Sequence, residues 1–316
     1  MPLGLADASR SWRRRFTRVA RTHPGANTVF KLAERRPGGE ESYSYLKLYG
    51  RPGPSVAEMD FELRVLRTVR PDPEIAVASP LAGRNGRLRF RLPWDGTIRH
   101  ACLFTAAPGR ELLPRVEDVR RFGRGLALLH DALAEVRIVP RRRLEADVTC
   151  RTAIRWLRRA GPDATRIADD IELAVPALAA ALVAVKPRIG LCHGDARLAN
   201  AALDGERLTF FDFEDCAVAP LMIDLATMAL WLQREPETQA LWSALLDGYR
   251  TRRTLAPGDL AALPALRVLL EVRGAGVLAR SWSLTPELWP DQHRRLTERV
   301  AGLRAAAGQQ DASHPG

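Results

Sequence analysis

Two early stretches, Asn27 to Leu32 and Tyr43 to Tyr49, carry strand patterning and predict a pair of β-strands. Between them, Arg36-Pro37-Gly38-Gly39-Glu40 has the turn chemistry of a hairpin. In the second strand Tyr43, Tyr45, Lys47 and Tyr49 share one face, because successive side chains on a strand point to opposite sides. Pro52-Gly53-Pro54 ends that strand. Ser55 and Glu58 then fit a capping box, and Val56, Met59, Leu63 and Leu66 recur at helical spacing. This predicts a helix with Glu62 on the edge of its apolar stripe. Two more strands are expected at Leu88 to Trp94 and His100 to Thr105, and Ala107-Pro108-Gly109 reads as a connector between lobes.

Beyond the connector the period becomes helical. Val119, Phe122, Leu126, Leu129 and Leu133 lie on one helical face, and residues 144–159 and 166–186 predict two more helices. Two short apolar runs, Ile189 to Leu191 and Leu208 to Phe211, are each followed by polar residues, so they read as short strands carrying loops. From Leu221 to about Val300 the pattern is mainly helical, with breaks near Pro257-Gly258, Pro286 and Pro290. Strands with one helix, followed by a run of helices, predict an α+β fold with a small antiparallel-sheet N-lobe and a larger, mainly helical C-lobe. The expected division is an Arg-rich segment at 1–21, an N-lobe at 22–107, a C-lobe at 108–307 and a loose polar tail at 308–316. The first segment, with Arg10, Arg13, Arg14, Arg15, Arg18 and Arg21, reads as a solvated helix or frayed terminus.

Composition adds a few constraints. The chain has 316 residues, 46% of them hydrophobic, which suffices for two lobes with a real core. A net charge of +11 favours polyanionic partners without choosing among nucleotide, nucleic acid and anionic lipid. Nucleic acid is disfavoured, since only the net charge and the Arg-rich start point to it. The basic residues are almost all arginine; the lysines are Lys31, Lys47 and Lys186, so each is worth weighing. Cys102, Cys150, Cys192 and Cys216 have no metal-ligand spacing. The longest apolar run, Leu173 to Val185, contains Pro176 and is too short to span a bilayer, and the N-terminus lacks the apolar core of a signal peptide. A cytoplasmic location with no membrane partner is expected; the sequence leaves the oligomeric state open.

The chemistry concentrates between His193 and Asp224. Transfer of a phosphoryl group from a nucleotide needs a carboxylate to position the acceptor hydroxyl and oxygen ligands for a divalent metal on the phosphates. Asp195 and Asn200 share one loop, and Asp212 follows on the next short strand. That layout gathers three oxygen-bearing side chains with no helix between them.

The ordered set His193-Gly194-Asp195, Asn200, Asp212 and Asp224-Leu225 resembles the motif of the aminoglycoside phosphotransferase and choline kinase superfamily, whose fold is bilobal and protein-kinase-like. The run from Asp212 to Leu225 is similar to the stress-response kinase branch, whose members phosphorylate protein Ser/Thr, and homoserine-kinase-like enzymes share much of it. The resemblance spans roughly residues 25–285 and is strongest over 191–225. It implies that Asp195 is the catalytic base, that Asn200 and Asp212 hold Mg²⁺, and that His193 and Asp224 support the catalytic loop. It further implies that Lys47 contacts the nucleotide phosphates, braced by Glu62. Gly25-Ala26-Asn27-Thr28 resembles a short nucleotide loop, with Asn27 and Thr28 at the phosphates, and the adenine is expected near Phe104 to Ala106. Glu214 and Asp215 have no assigned role.

The implied function is an ATP- and Mg²⁺-dependent transfer of the γ-phosphate to a hydroxyl of a small molecule. One alternative is a protein Ser/Thr kinase of the stress-response type, and another is a non-catalytic nucleotide-binding regulator. Arginines match the acids from Ala217 onward, so no acidic excess marks a site for polycationic aminoglycosides. Elsewhere, bland readings stand. His130 is a helix cap or core histidine, Cys192 and Cys216 are small buried hydrophobes, and Trp282 and Trp289 pack a core.

Overall fold

The computed structural model describes residues 5–24, 27–35, 39–50, 53–70, 72–280, 294 and 298. In chain order the elements are α1 (Leu5–Trp12), β1 (Phe16–Pro24), β2 (Thr28–Arg35), β3 (Glu41–Leu48), α2 (Val56–Thr68), β4 (Ile75–Val77), β5 (Arg89–Trp94), β6 (Thr97–Thr105), β7 (Arg110–Glu111), α3 (Val116–Ala134), α4 (Ala146–Ala160) and α5 (Pro162–Val185). There follow β8 (Ile189–Cys192), β9 (Ala201–Asp204), β10 (Arg207–Phe210), β11 (Ala217–Pro220), α6 (Met222–Leu232), α7 (Thr238–Arg250), α8 (Pro257–Ala261) and α9 (Leu263–Arg280). The chemistry expected of Gly25 and Ala26, the Arg36–Gly38 turn, Trp282, Trp289 and the polar tail lies outside the described residues.

The chain divides into two compact units. The first comprises Met1–Leu112, Glu135–Val139 and Ala199–Glu214; the second comprises Leu113–Ala134, Pro140–Leu198 and Asp215–Gly316. In the first unit an antiparallel sheet runs β1-β2-β3-β6-β5. Alternation along β3 sends Leu46 and Leu48 into the apolar cluster of Phe30, Leu32, Phe90, Leu92 and Leu103, and Lys47 to the opposite face. The capping box at Ser55 and Glu58 starts α2, as its spacing predicts, with both reciprocal hydrogen bonds present.

The Arg-rich start is built into this unit and is not a frayed end. Ala8, Trp12 and Phe16 are buried in the apolar cluster, Trp12 packs edge-on against Phe90 at 4.7 Å, and its Nε1 donates to Leu81 O at 3.0 Å. The apolar face of α1 is only a few residues wide, so dense arginine hides it in the sequence. β1 forms a sheet edge, and its arginines suit that place because charged edges resist pairing with other chains.

A second sheet in this unit runs β4-β10-β9-β7, with β10 parallel to β4. This long-range pairing draws Ala199–Glu214 into the first unit, where a cut at residue 107 assigns it to the other lobe. The second unit is mainly helical, with α3 on α7, α4 on α5 and α9, and α6 on α9, plus the two-stranded sheet β8-β11. Pro257 opens α8 at its first turn, where a missing N–H costs nothing. No helix of the described residues is long and apolar enough to cross a membrane.

Candidate active site

Lys47 stands at the centre of the first unit's charged cluster. It is only 5% exposed. Its ammonium lies 2.7 Å from Asp212, 2.9 Å from Glu214 and 3.5 Å from Glu62. Glu62 is fully buried on α2, not on a stripe edge, and accepts from Tyr49 Oη at 2.8 Å. Burial opposes the charge on Lys47, but Asp212, Glu62 and Glu214 outweigh it and hold the pKa well above the ordinary lysine value. Burial likewise pushes the Glu62 carboxyl up, against the pull of Lys47. Three carboxylates share one ammonium, so the group is rich in negative charge and in oxygen donors. That donor set suits a hard divalent cation.

Asn27 is bound within this cluster: its Nδ2 donates to Glu214, and its Oδ1 accepts from Gly50 N at 2.9 Å. Its side chain is thus engaged with protein groups. Thr28 is buried on β2 opposite Leu48, and Phe104 is buried on β6 opposite Tyr45, with Ala106 two residues on. Lys31 lies 4.1 Å over the ring of Tyr43, away from the carboxylates.

The hairpin of β9 and β10 sets where Asn200 and Asp212 stand. Ala201 pairs with Phe210, and Phe211 N donates to Asn200 O at 2.9 Å. Both residues therefore leave the same end of the hairpin. Asn200 is buried, whereas the Asp212 side chain is 41% exposed. Asp212 has φ +65°, a left-handed conformation that aspartate tolerates better than most residues.

The loop after β8 belongs to the second unit. Asp224, at the start of α6 and 0% exposed, accepts from His193 N and Gly194 N, each at 2.8 Å. His130 Nε2 lies 3.0 Å from the same carboxylate, and its Nδ1 lies 2.8 Å from the hydroxyl of Tyr249. A carboxylate only accepts, so Nε2 donates to Asp224. Burial works against ionised Asp224, but the His130 hydrogen bond and charge, then His193 and Gly194 N, hold its pKa below the ordinary value. Gly194 has φ +84°, and a Cβ there would meet Asp215 O at 2.0 Å, so only glycine fits.

Asp195 follows directly. Its N donates to His193 Nδ1 at 3.3 Å, and its carboxylate receives Arg197 Nε at 3.1 Å. Burial pushes the Asp195 pKa up and Arg197 pulls against it; Asp215 adds to the rise, and His193 and Arg273 oppose it. Asp215 is held by Arg142 at 3.2 Å and by Arg273, whose other Nη donates to Gly194 O at 2.9 Å. The two acids left without a role in the sequence thus have distinct partners: Glu214 faces Lys47, and Asp215 fastens the loop to α9.

A family model described as the phosphotransferase enzyme family matches residues 12–263. The chain belongs to that family. Among curated relatives, an uncharacterized protein of Deinococcus radiodurans is 32% identical over 231 residues, covering 71% of this chain and 67% of its own. One from Synechocystis is 24% identical, covering 66% of this chain and 60% of its own, so the chain spans about three fifths of that relative. Among solved structures, an amicoumacin kinase in complex with AMP-PNP, Ca²⁺ and Ami has a TM-score of 0.73 at 19% identity, covering 96% of this chain and 92% of the other. A microcompartment-associated aminopropanol kinase has 0.61 at 20%, covering 98% and 97%. A choline kinase from Cryptosporidium parvum has 0.62 at 11%, covering 93% and 90%. These likenesses bear out the bilobal α+β fold.

Sequence reasoning on this phosphotransferase read His130 as a helix cap or core histidine, which its burial bears out, but missed its link to Asp224 and Tyr249. His130 and Tyr249 are buried, and they meet through the close packing of α3 on α7, where a Cβ at Gly248 would meet Arg120 O at 1.9 Å. A polar residue in an otherwise apolar helix face was the only available signal. His130, Cys192 and Asp224 also lie within 4.8 Å of one another. A metal there would have to displace the hydrogen bonds that Asp224 and His130 already make, so this trio reads as a structural network. The four cysteines are buried and free. Burial pushes Cys102 and Cys150 up to about 12 and raises Cys192 as well. The folded phosphotransferase is expected to show no thiol reaction with a disulfide reagent at pH 8, and all four cysteines to react in denaturant. Rapid labelling of the native protein would contradict this burial.

Proposed function

We propose that this phosphotransferase moves the γ-phosphate of ATP, bound with Mg²⁺, to a hydroxyl of a small molecule. The observation that carries the reading is Lys47, buried and gripped by Glu62, Asp212 and Glu214, with Asp212 and Asn200 at one end of a hairpin. Lys47 would pair with nucleotide phosphates, and Glu62 would hold its ammonium in place. Asn200 and Asp212 would hold the divalent cation, which when bound neutralises charge on the phosphates. The adenine is assigned to the neighbourhood of Phe104 and Ala106. Asn27 and Thr28 border the phosphates, Asn27 by holding Glu214 and Gly50.

Asp195 would accept the hydrogen bond of the acceptor hydroxyl and take its proton as the new O–P bond forms. Burial raises its pKa, with Arg197 opposing, which makes it a stronger base than an ordinary aspartate. His193 and Asp224 hold the peptide that presents it. A small-molecule acceptor is preferred over a protein because the similar structures are named as kinases of small molecules.

The test is release of ADP and transfer of radiolabel from ATP into a small-molecule extract. Transfer should need Mg²⁺ and vanish with EDTA, and Lys47→Met should remove most of it. Label appearing in protein instead would favour the Ser/Thr kinase alternative. Turnover untouched by both EDTA and Lys47→Met would sink the proposal.

A further inference from the structure

Beside Asp195 the second unit carries cationic groups that the catalytic roles leave unused. Arg197 lies two residues after Asp195 and gives only its Nε to that carboxylate. The centre of its guanidinium lies 4.8 Å from the ring of Trp231, on α6. The Arg234 guanidinium lies 5.0 Å from the same ring. Trp231 is 40% exposed, although it is among the largest apolar side chains of the unit. Neither Arg197 Nη atom, and no part of the Arg234 guanidinium, has a hydrogen-bond or ion-pair partner among the described residues. The neighbouring Arg142 and Arg273 differ, since both are committed to Asp215.

Two guanidinium groups on one indole repel each other, and the cation–π attraction of each to the ring offsets only part of that. A stacked guanidinium keeps its N–H edge free, and that planar fork matches the two oxygens of a carboxylate or phosphate. Counting Asp195, Arg197 and Arg234, the local charge is one unit positive, so its complement is an anion. A cationic acceptor would instead meet two fixed positive charges. Aminopropanol and choline, for which two of the similar structures are named, are cations of that kind.

We infer that the acceptor carries an anionic oxygen group, a carboxylate or a phosphate, near its reacting hydroxyl, and that Arg197 and Arg234, set on Trp231, bind it. The inference rests on the proposed function and names the class of acceptor. Arg197 would clamp the anionic group while Asp195 engages the hydroxyl of the same molecule. Both arginines are specificity-determining residues here; neither takes a proton.

The test sorts a small-molecule extract by ion exchange into anionic, neutral and cationic pools before any reaction. Each pool is then offered with radiolabelled ATP to the full chain and to Asp195→Asn. Asp195-dependent transfer is expected from the anionic pool. Pretreating that pool with alkaline phosphatase, then removing it, separates the sources: lost transfer marks a phosphate, and retained transfer a carboxylate. Either result upholds the inference. Transfer from the cationic or neutral pool alone overturns it and leaves the kinase reading standing. No Asp195-dependent transfer from any pool overturns that reading, and the inference with it.

Arg197→Gln should raise the amount of anionic pool needed for half-maximal transfer about tenfold or more. Arg234→Gln removes an exposed side chain with no carboxylate partner, so its folding is secure, and the shift should have the same direction. If Arg197→Gln lowers the maximal rate with no change in half-saturation, the guanidinium acts on the transferring phosphoryl group and the inference is wrong. An unchanged half-saturation in Arg234→Gln as well as Arg197→Gln would also overturn it.

Discussion

Asp195→Asn is expected to lower kcat by about a hundred- to ten-thousand-fold while leaving nucleotide binding nearly intact. The amide keeps the shape of the carboxylate and can still meet Arg197, but it cannot take a proton. Lys47 and its carboxylates belong to the other unit and are untouched. Steady-state kinetics with a separate nucleotide-binding measurement would check both halves. The wild-type pH profile gives a second reading. A base must be ionised to work, so activity falls as pH drops through the Asp195 pKa. Burial raises that pKa, with Arg197 opposing, so the acid limb of kcat/KM should lie above the ordinary aspartate value of 3.8. A variant that keeps the normal rate on its true acceptor would remove Asp195 from the mechanism.

Asp224→Ala is expected to have the largest effect on stability, a loss of about 3–5 kcal/mol. The carboxylate is fully buried and serves His193 N, Gly194 N and His130 Nε2 at once. Removing it strands three buried donors. Its folded pKa lies below the ordinary value, so its stabilisation is complete above that value and is lost as pH falls through the folded pKa. Chemical denaturation at neutral pH should therefore show a large gap between wild type and variant. The gap should narrow when the pH is taken below the ordinary aspartate range. A gap below about 1 kcal/mol at neutral pH would mean that the loop is held by other contacts.

Local signals made much of this fold legible. The capping box at Ser55 and Glu58 placed the start of α2 correctly, because it depends on residues three apart. The alternation around Lys47 placed β3 and its faces, and the short apolar runs placed β8 and β10. What failed was long-range. β4 has three residues and exists because it pairs with β10, more than a hundred residues away. Glu62 looked like a helix-edge acid because periodicity counts it as polar, yet it lies buried under Lys47 and Tyr49. Asn27, expected at the nucleotide loop, has a side chain that also holds Glu214 and Gly50, partners no local pattern links to it.

By itself, the sequence determined the order of chemistry-bearing residues from His193 to Asp224, the α+β class and the membership that this ordered motif implies. Motifs of this kind rest on neighbours along one loop, so their spacing survives without coordinates. Only the tertiary structure decided which acids Lys47 meets, that Asp215 fastens the loop through Arg142 and Arg273, and that His130 and Tyr249 stand behind Asp224. Those partners come from different strands and helices. Their pairing follows from strand register and helix packing, which bring together residues that no local pattern links.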